Sequence, residues 1–310
     1  MTASAPGLPG IWPALLTPLG ADLRVDHARL TAHAQSLLAA GCSGVTPFGT
    51  TGEGPSFSAA ERIDAVNALV AGGVPASRIL VSVICAALPD AIALVRHAQA
   101  IGAWGVLLLP PFYFKGVSDA GIVNALSEMI DAAGDRPLRV VLYHIPQIAA
   151  VALSHAVIAE MLRRYPKHIV AIKDSQCERA HSLTLADAFM APERPQIGVH
   201  VGNELDLPAL AARGSRGAVS GLANFMPRVV HRLATEPDIA RTAGDLARVD
   251  RLLGWLGAYA LIPALKAIMA AQSGDAAWLR VRAPLVAMDD ERFNTFSKEL
   301  VAHGLDPSKD

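Results

Sequence analysis

The chain has 310 residues, a formal net charge of -1, 52% hydrophobic residues and 18% charged residues. This balance supplies no basic field for nucleic acid and no polybasic segment for a membrane surface, so the expected partner is a small molecule. The apolar content permits a large core, while Gly, Pro or charge interrupts every apolar stretch short of the ~20 residues of a membrane span.

In chain order, short apolar runs alternate with longer helical patterns. Strands are predicted at 11–17 ("IWPALLT"), 43–49, 79–84, 105–110, 139–144, 169–174, 197–202 and 217–221. Helices are predicted near 26–40, 58–71, 88–101, 118–133, 154–164, 178–190, 204–213 and 226–235. Asp26 is placed to cap the first helix, and Ser58 with Glu61 spells a capping box for the second. Most strand runs are continuously apolar, as expected where both faces of a sheet are covered. Residues 239–271 and 275–302 read as helical throughout, with no strand among them. Eight βα units predict an α/β fold, a (β/α)8 TIM barrel over residues 1–236, with a C-terminal helical bundle packed on it over 237–310.

Three cysteines, Cys42, Cys85 and Cys177, are an odd number without metal-type spacing, and no charged-then-apolar leader opens "MTASAPGLPG". A cytoplasmic protein with reduced thiols is expected.

Barrel chemistry gathers at the C-terminal ends of the strands. Those ends carry Thr50, Thr51, Tyr113, Tyr143, Lys173 and Gly202, which should converge on one mouth. Lys173 closes "HIVAIKD". It is either a boundary charge paired with Asp174 or an amine held dry, able to attack a ketone and form a Schiff base. Tyr143, at the end of the neighbouring strand, is either a core tyrosine or a phenol that passes protons at the same point. The loop "GTTGEG", Gly49 to Gly54, offers backbone N–H groups and two hydroxyls that suit a carboxylate or phosphate, and an ordinary turn is the plainer alternative. It is no P-loop, since no lysine follows.

Five motifs in order, "PALLTP", "GTTGEG", "YHIP", "IKDS" and "PALKAIMA", resemble the dihydrodipicolinate synthase/N-acetylneuraminate lyase family over about residues 10 to 300. The resemblance implies Schiff-base chemistry on pyruvate or another 2-oxo acid, no metal or organic cofactor, and a homotetramer built as a dimer of dimers. Lys173 matches the imine-forming lysine and Tyr143 the proton-relay tyrosine. Thr50 and Thr51, with Gly49 opening their loop, match the pair that binds the substrate carboxylate. Tyr113 is similar to the tyrosine inserted into a neighbouring subunit's site, where it completes a relay through Thr51. Val219 matches the position whose carbonyl faces the imine.

Departures narrow the substrate. Ile148 stands where dihydrodipicolinate synthases place an arginine for the carboxylate of aspartate semialdehyde, and a branched apolar side chain cannot make that bidentate contact. Leu205 and Gly221 lack side chains that sialic acid lyases use for sugar hydroxyls. A 2-keto-3-deoxy sugar acid cleaved to pyruvate and an aldehyde remains, with Ser175, Gln147, Asn203 and Glu204 as polar contacts. Dihydrodipicolinate synthase activity, or a dehydratase of the same family, is the alternative. His144 and Cys177 replace a usual Asn and Gly without an assignable role. Two rivals stand outside the family chemistry. One is a metal enzyme built on His144 and His200, short of the third ligand that catalytic zinc takes; the other is a binding barrel without catalysis.

Overall fold

A computed structural model describes residues 7–134, 138–190, 197–236, 238–303 and 305. Among them run seven strands: β1 (Gly10–Pro13), β2 (Leu80–Val83), β3 (Gly105–Leu108), β4 (Val140–His144), β5 (Ile169–Asp174), β6 (Gly198–Val201) and β7 (Gly217–Ser220). β2 to β6 pair in parallel in chain order, and β1 pairs in parallel with β7.

The expected second strand at 43–49 is reduced to two rungs. Ala14 pairs with Thr46, and Val45 with Ile79, as isolated parallel bridges between β1 and β2. Pro47 follows at once and has no N–H to extend a ladder, and Phe48 turns the backbone left-handed at φ 56°. Between β6 and β7 side chains complete the seam: His200 Nδ1 lies 2.9 Å from the Gly217 carbonyl oxygen, and Ser215 Oγ donates to the Val199 carbonyl at 2.8 Å. The result is a (β/α)8 barrel.

The helices are α1 (His27–Ala39), α2 (Ala59–Ala71), α3 (Leu88–Ala100), α4 (Asp119–Asp131), the short α5 (Pro146–Ala149), α6 (His155–Arg164), α7 (Arg179–Phe189), α8 (Leu207–Ala212) and α9 (Pro227–Thr235). Asp26 caps α1 through the Arg29 amide, and Ser58 and Glu61 form the complete capping box of α2. Beyond the barrel come α10 (Ile239–Leu256), α11 (Leu261–Ser273) and α12 (Asp290–Glu299), with α10 lying against α8 and α9. The expected continuous helix over 275–302 is not formed. A single turn at Ala276–Leu279 gives way to irregular chain around Pro284, which lacks an N–H and disfavours helix in the residue before it, and helix resumes only after the Asp289 cap. No single helix among the described residues is long and apolar enough to cross a membrane.

Strand alternation divides the core into two apolar sets. Leu107, Val141, Tyr143, Ala171 and Val219 belong to the set filling the barrel with Trp12 and Leu80, whereas Val106, Leu108, Val140, Leu142 and Ile172 pack outward against the helices. Burial on both faces explains the unbroken apolar runs.

Candidate active site

Period-two alternation decides where Lys173 points. Ala171 faces the barrel interior and Ile172 the helices, so Lys173 faces inward and Asp174 outward. Tyr143 is opposite Lys173 in the β4–β5 register. The Lys173 ammonium nitrogen lies 4.3 Å from the centroid of the Tyr143 ring, with both residues buried. Asp174 is no partner of this lysine. Its carboxylate accepts from the Gln176 amide at 3.0 Å and the Ser182 hydroxyl at 2.6 Å, and contacts His181 Nδ1 at 3.0 Å. Among the described residues no carboxylate forms an ion pair with Lys173, so the boundary-charge alternative fails.

The Gly49–Gly54 loop joins this group through Thr50, whose Oγ1 is 3.3 Å from the Tyr143 hydroxyl. Glu53 and Gly54 donate their amides back to the Thr50 and Gly49 carbonyls, curling the loop so that the Thr50 and Thr51 amides have no protein acceptor among the described residues. Two unpaired N–H groups and a hydroxyl make this loop a candidate anion cradle. The turn needs glycine at position 54, where a β-carbon would stand 2.0 Å from the Phe48 carbonyl oxygen. Thr51 Oγ1 faces Gly221 at the end of β7.

A residue the sequence reading passed over holds this loop. Lys266, in α11 and fully buried, pairs with the Glu53 carboxylate and donates to the Arg280 carbonyl. Burial lowers the affinity of Lys266 for its proton, and Glu53 acts against that. Glu53 itself sits at φ 57°, a strained left-handed position for a non-glycine residue. The motif "PALKAIMA" carried the signal, since a lysine inside an otherwise apolar helical segment requires a buried partner.

The remaining expected contacts divide. Ser175 is buried with its Oγ against Gly202, where a β-carbon would come within 2.3 Å of that oxygen and 3.3 Å of Lys173 Cε. Gln147 is exposed and donates to the Ser175 carbonyl. Asn203 spends its side chain on Asp206 and the Leu205 amide, capping a turn. Glu204 is buried beneath the mouth, accepting from Ser220 Oγ at 2.5 Å and the Leu222 amide at 3.3 Å. Burial pushes its carboxyl above the usual carboxylate range, opposed by the Ser220 bond and by the Lys173 ammonium. Val219 lies in the interior set with Tyr143. Tyr113 is not brought to the site in the single chain: it is 72% exposed and meets Phe114 edge-on at 5.4 Å.

The family model for the dihydrodipicolinate synthetase family matches residues 7–303. The chain belongs to that family. It is 32% identical over 287 residues to a protein of Chloroflexus aurantiacus called an uncharacterized DapA-like lyase, covering 91% of this chain and 92% of the relative. It is 32% identical over 233 residues to the 4-hydroxy-tetrahydrodipicolinate synthase of Acidiphilium cryptum, covering 75% of each. The crystal structure of dihydrodipicolinate synthase from Agrobacterium tumefaciens superimposes with a TM-score of 0.86 at 32% identity, covering 94% of this chain and 98% of that one. The chain is an enzyme of the lyase and aldolase class this family comprises.

In this dihydrodipicolinate synthetase family member the two histidines near strand ends are tied to separate frameworks. His144 accepts the Leu153 amide at Nδ1, 3.0 Å, which leaves Nε2 to donate to Gln176 Oε1 at 2.9 Å; burial lowers its proton affinity. His200 accepts the Leu8 amide at Nε2, 3.1 Å, on the barrel floor, and burial takes its pKa down to about 4. His144, Asp174 and His181 do gather ligand-type atoms within 4.8 Å, outside the barrel wall. The hydrogen bonds of His144 and Asp174 are the ones just described, so a cation there would have to displace structural contacts.

Beside Thr50 the mouth widens into a cleft of about 360 Å³. A larger cavity of about 470 Å³ lies between α1 and α9 and contains none of Lys173, Tyr143 or Thr50.

Proposed function

We propose that the chain is a lysine-imine aldolase acting on pyruvate or a 2-keto-3-deoxy acid, cleaving a 4-hydroxy-2-oxo acid to pyruvate and an aldehyde and catalysing the reverse addition. The observation that carries this reading is the inward-facing Lys173 against Tyr143, with Thr50 bridging from the anion cradle. The substrate carboxylate docks on the Thr50 and Thr51 amides, which sets C2 before the Lys173 amine. The amine attacks C2, the carbinolamine hydroxyl leaves as water with the proton of the Tyr143 phenol, and a protonated imine forms beside the Tyr143 phenolate. The C4 hydroxyl gives its proton to the Tyr143 oxygen as the C3–C4 bond breaks. The bonding electrons move into the imine to give an enamine, and the aldehyde leaves. Protonation at C3 and addition of water then release pyruvate and the free lysine.

Glycine at 202 supports the same reading, because any side chain there would invade the space of Lys173 Cε and Ser175 Oγ. Condensation of pyruvate with aspartate semialdehyde draws support from the identity to the Acidiphilium synthase, and meets a neutral Ile148 where that carboxylate would need a cation. The proposed setting is the cytoplasm, supported by three free cysteines. The proposed assembly is a homotetramer in which exposed Tyr113 completes a neighbouring site.

Borohydride reduction of the protein with pyruvate, followed by peptide mass spectrometry, is the direct test. The expected result is a reduced three-carbon adduct on Lys173. A protein that binds pyruvate and carries no adduct there would remove the imine from the mechanism.

A further inference from the structure

We infer that the cleft beside Thr50 receives the aldehyde end of the substrate and that this end is apolar, an aryl or short alkyl group in place of a hydroxylated or carboxylated chain. The inference deepens the imine reading above and rests on it.

The cleft opens on Thr50, one hydrogen bond from the Tyr143 hydroxyl. A 2-oxo acid held on the Thr50 and Thr51 amides, with C4 at Tyr143, therefore reaches it with whatever C4 carries. Ile84, Leu109, Phe112, Ile145, Ile148 and Ile262 form most of its walls, and Pro284 closes one side. Its volume of about 360 Å³ fits a group of benzene size with room to turn.

Polar side chains are few in the lining: Thr50, Ser56 and Glu53. Among the described residues the one ionisable group lining the cleft is Glu53, and its charge is met by Lys266. Cations close by are committed elsewhere. The Lys115 ammonium donates to the Phe112 and Ala149 carbonyls, and the Arg282 guanidinium to the Leu23 and Ser56 carbonyls and to Glu61. A chain of hydroxyls entering these walls would leave water for only the few hydrogen bonds that Thr50, Ser56 and Glu53 can offer, and a carboxylate would enter without a counter-charge. An apolar group loses nothing by the same transfer. Ile148 on the rim is the specificity-determining residue: its side chain is 60% exposed, so an arginine there fits without repacking and can meet a carboxylate in bidentate fashion.

The experiment is kcat/KM for addition of pyruvate to benzaldehyde, D-glyceraldehyde and succinic semialdehyde, with the native chain and with Ile148→Arg. The native chain should favour benzaldehyde over both others by about tenfold or more, the scale on which apolar pockets discriminate. Ile148→Arg should lower the benzaldehyde value and raise that for succinic semialdehyde by about tenfold. A native preference for glyceraldehyde or succinic semialdehyde overturns the inference. Binding separates it from the imine reading. Benzyl alcohol, which cannot react, should give saturation-transfer NMR signals with the native chain that fall in Ile262→Asp, whether or not Lys173 is labelled by borohydride. No such signal from the native chain would also overturn it.

Discussion

Two lysines are buried among the described residues, and only one of them is paired with a carboxylate. Lys266 is fully buried in α11 with the Glu53 carboxylate against it and the Arg280 carbonyl as a second acceptor. Lys173 is 6% exposed at the end of β5, where its near neighbour is the face of the Tyr143 ring. Burial is common to both, so burial does not distinguish scaffold from chemistry. Pairing does: Lys266 is fixed by a carboxylate, as a framework ammonium is, whereas Lys173 lies over the Tyr143 ring with no carboxylate paired to it among the described residues, as the proposed nucleophile requires.

Methionine at each position would break or sharpen this contrast. Lys173→Met should leave the urea-unfolding midpoint near the native value while reducing turnover below about one thousandth, the loss expected when a covalent nucleophile is removed. Lys266→Met should cost about 3–5 kcal/mol in the same unfolding experiment, because Glu53 is left charged and unpaired in the interior. It should also raise KM for pyruvate, since Glu53 flanks the Thr50–Thr51 loop. Equal destabilisation by the two substitutions would erase the distinction. Tyr143→Phe keeps the ring under Lys173 and removes only the hydroxyl. A fall of about 100-fold in kcat is expected, the scale of a lost acid–base group, and an unchanged rate would take Tyr143 out of the chemistry.

The smallest effect comes from buried histidines, which the fold holds neutral. Burial brings both His33 and His200 down to about 4 from the usual 6.5, with the Asn224 bond opposing at His33 and the Gly217 bond at His200. In the unfolded chain these rings take up protons as pH falls through 6.5, while the folded chain resists until about pH 4. Stability is therefore full above pH 6.5 and is lost progressively down to about pH 4. Between pH 7 and 5 the loss should be about 2 kcal/mol per histidine. Urea midpoints measured across this range should fall, and His33→Gln, which can keep the bond to Asn224, should flatten the slope. A slope unaffected by that change would contradict the assignment.

Much of the barrel was legible because strands covered on both faces must be apolar throughout, and helices α1 and α2 announce themselves by side-chain caps that act locally. The second strand was not, because Pro47 and the left-handed Phe48 stop a ladder that the apolar run alone would extend. Lys173 and Tyr143 could be placed from strand ends and alternation. Asn203 and Glu204 illustrate the opposite case: polarity at the mouth suggested substrate contacts, yet their side chains complete internal bonds to Asp206, Ser220 and Leu222. The Lys266–Glu53 pair joins residues 213 apart in the chain, a distance over which no local pattern speaks. Asn224 was missed for the same reason. Its amide accepts from the Leu16 amide and donates to the Ala14 carbonyl across the closing seam of the barrel.

That seam has a consequence in time. β1 has β7 as its partner, with Gly10 opposite Gly217, so about two hundred residues must leave the ribosome before its outer backbone groups can pair. At about 5–20 residues per second this wait lasts roughly 10–40 s. Through that interval "IWP" presents an open strand edge to any neighbouring chain, a hazard that closure of the barrel removes.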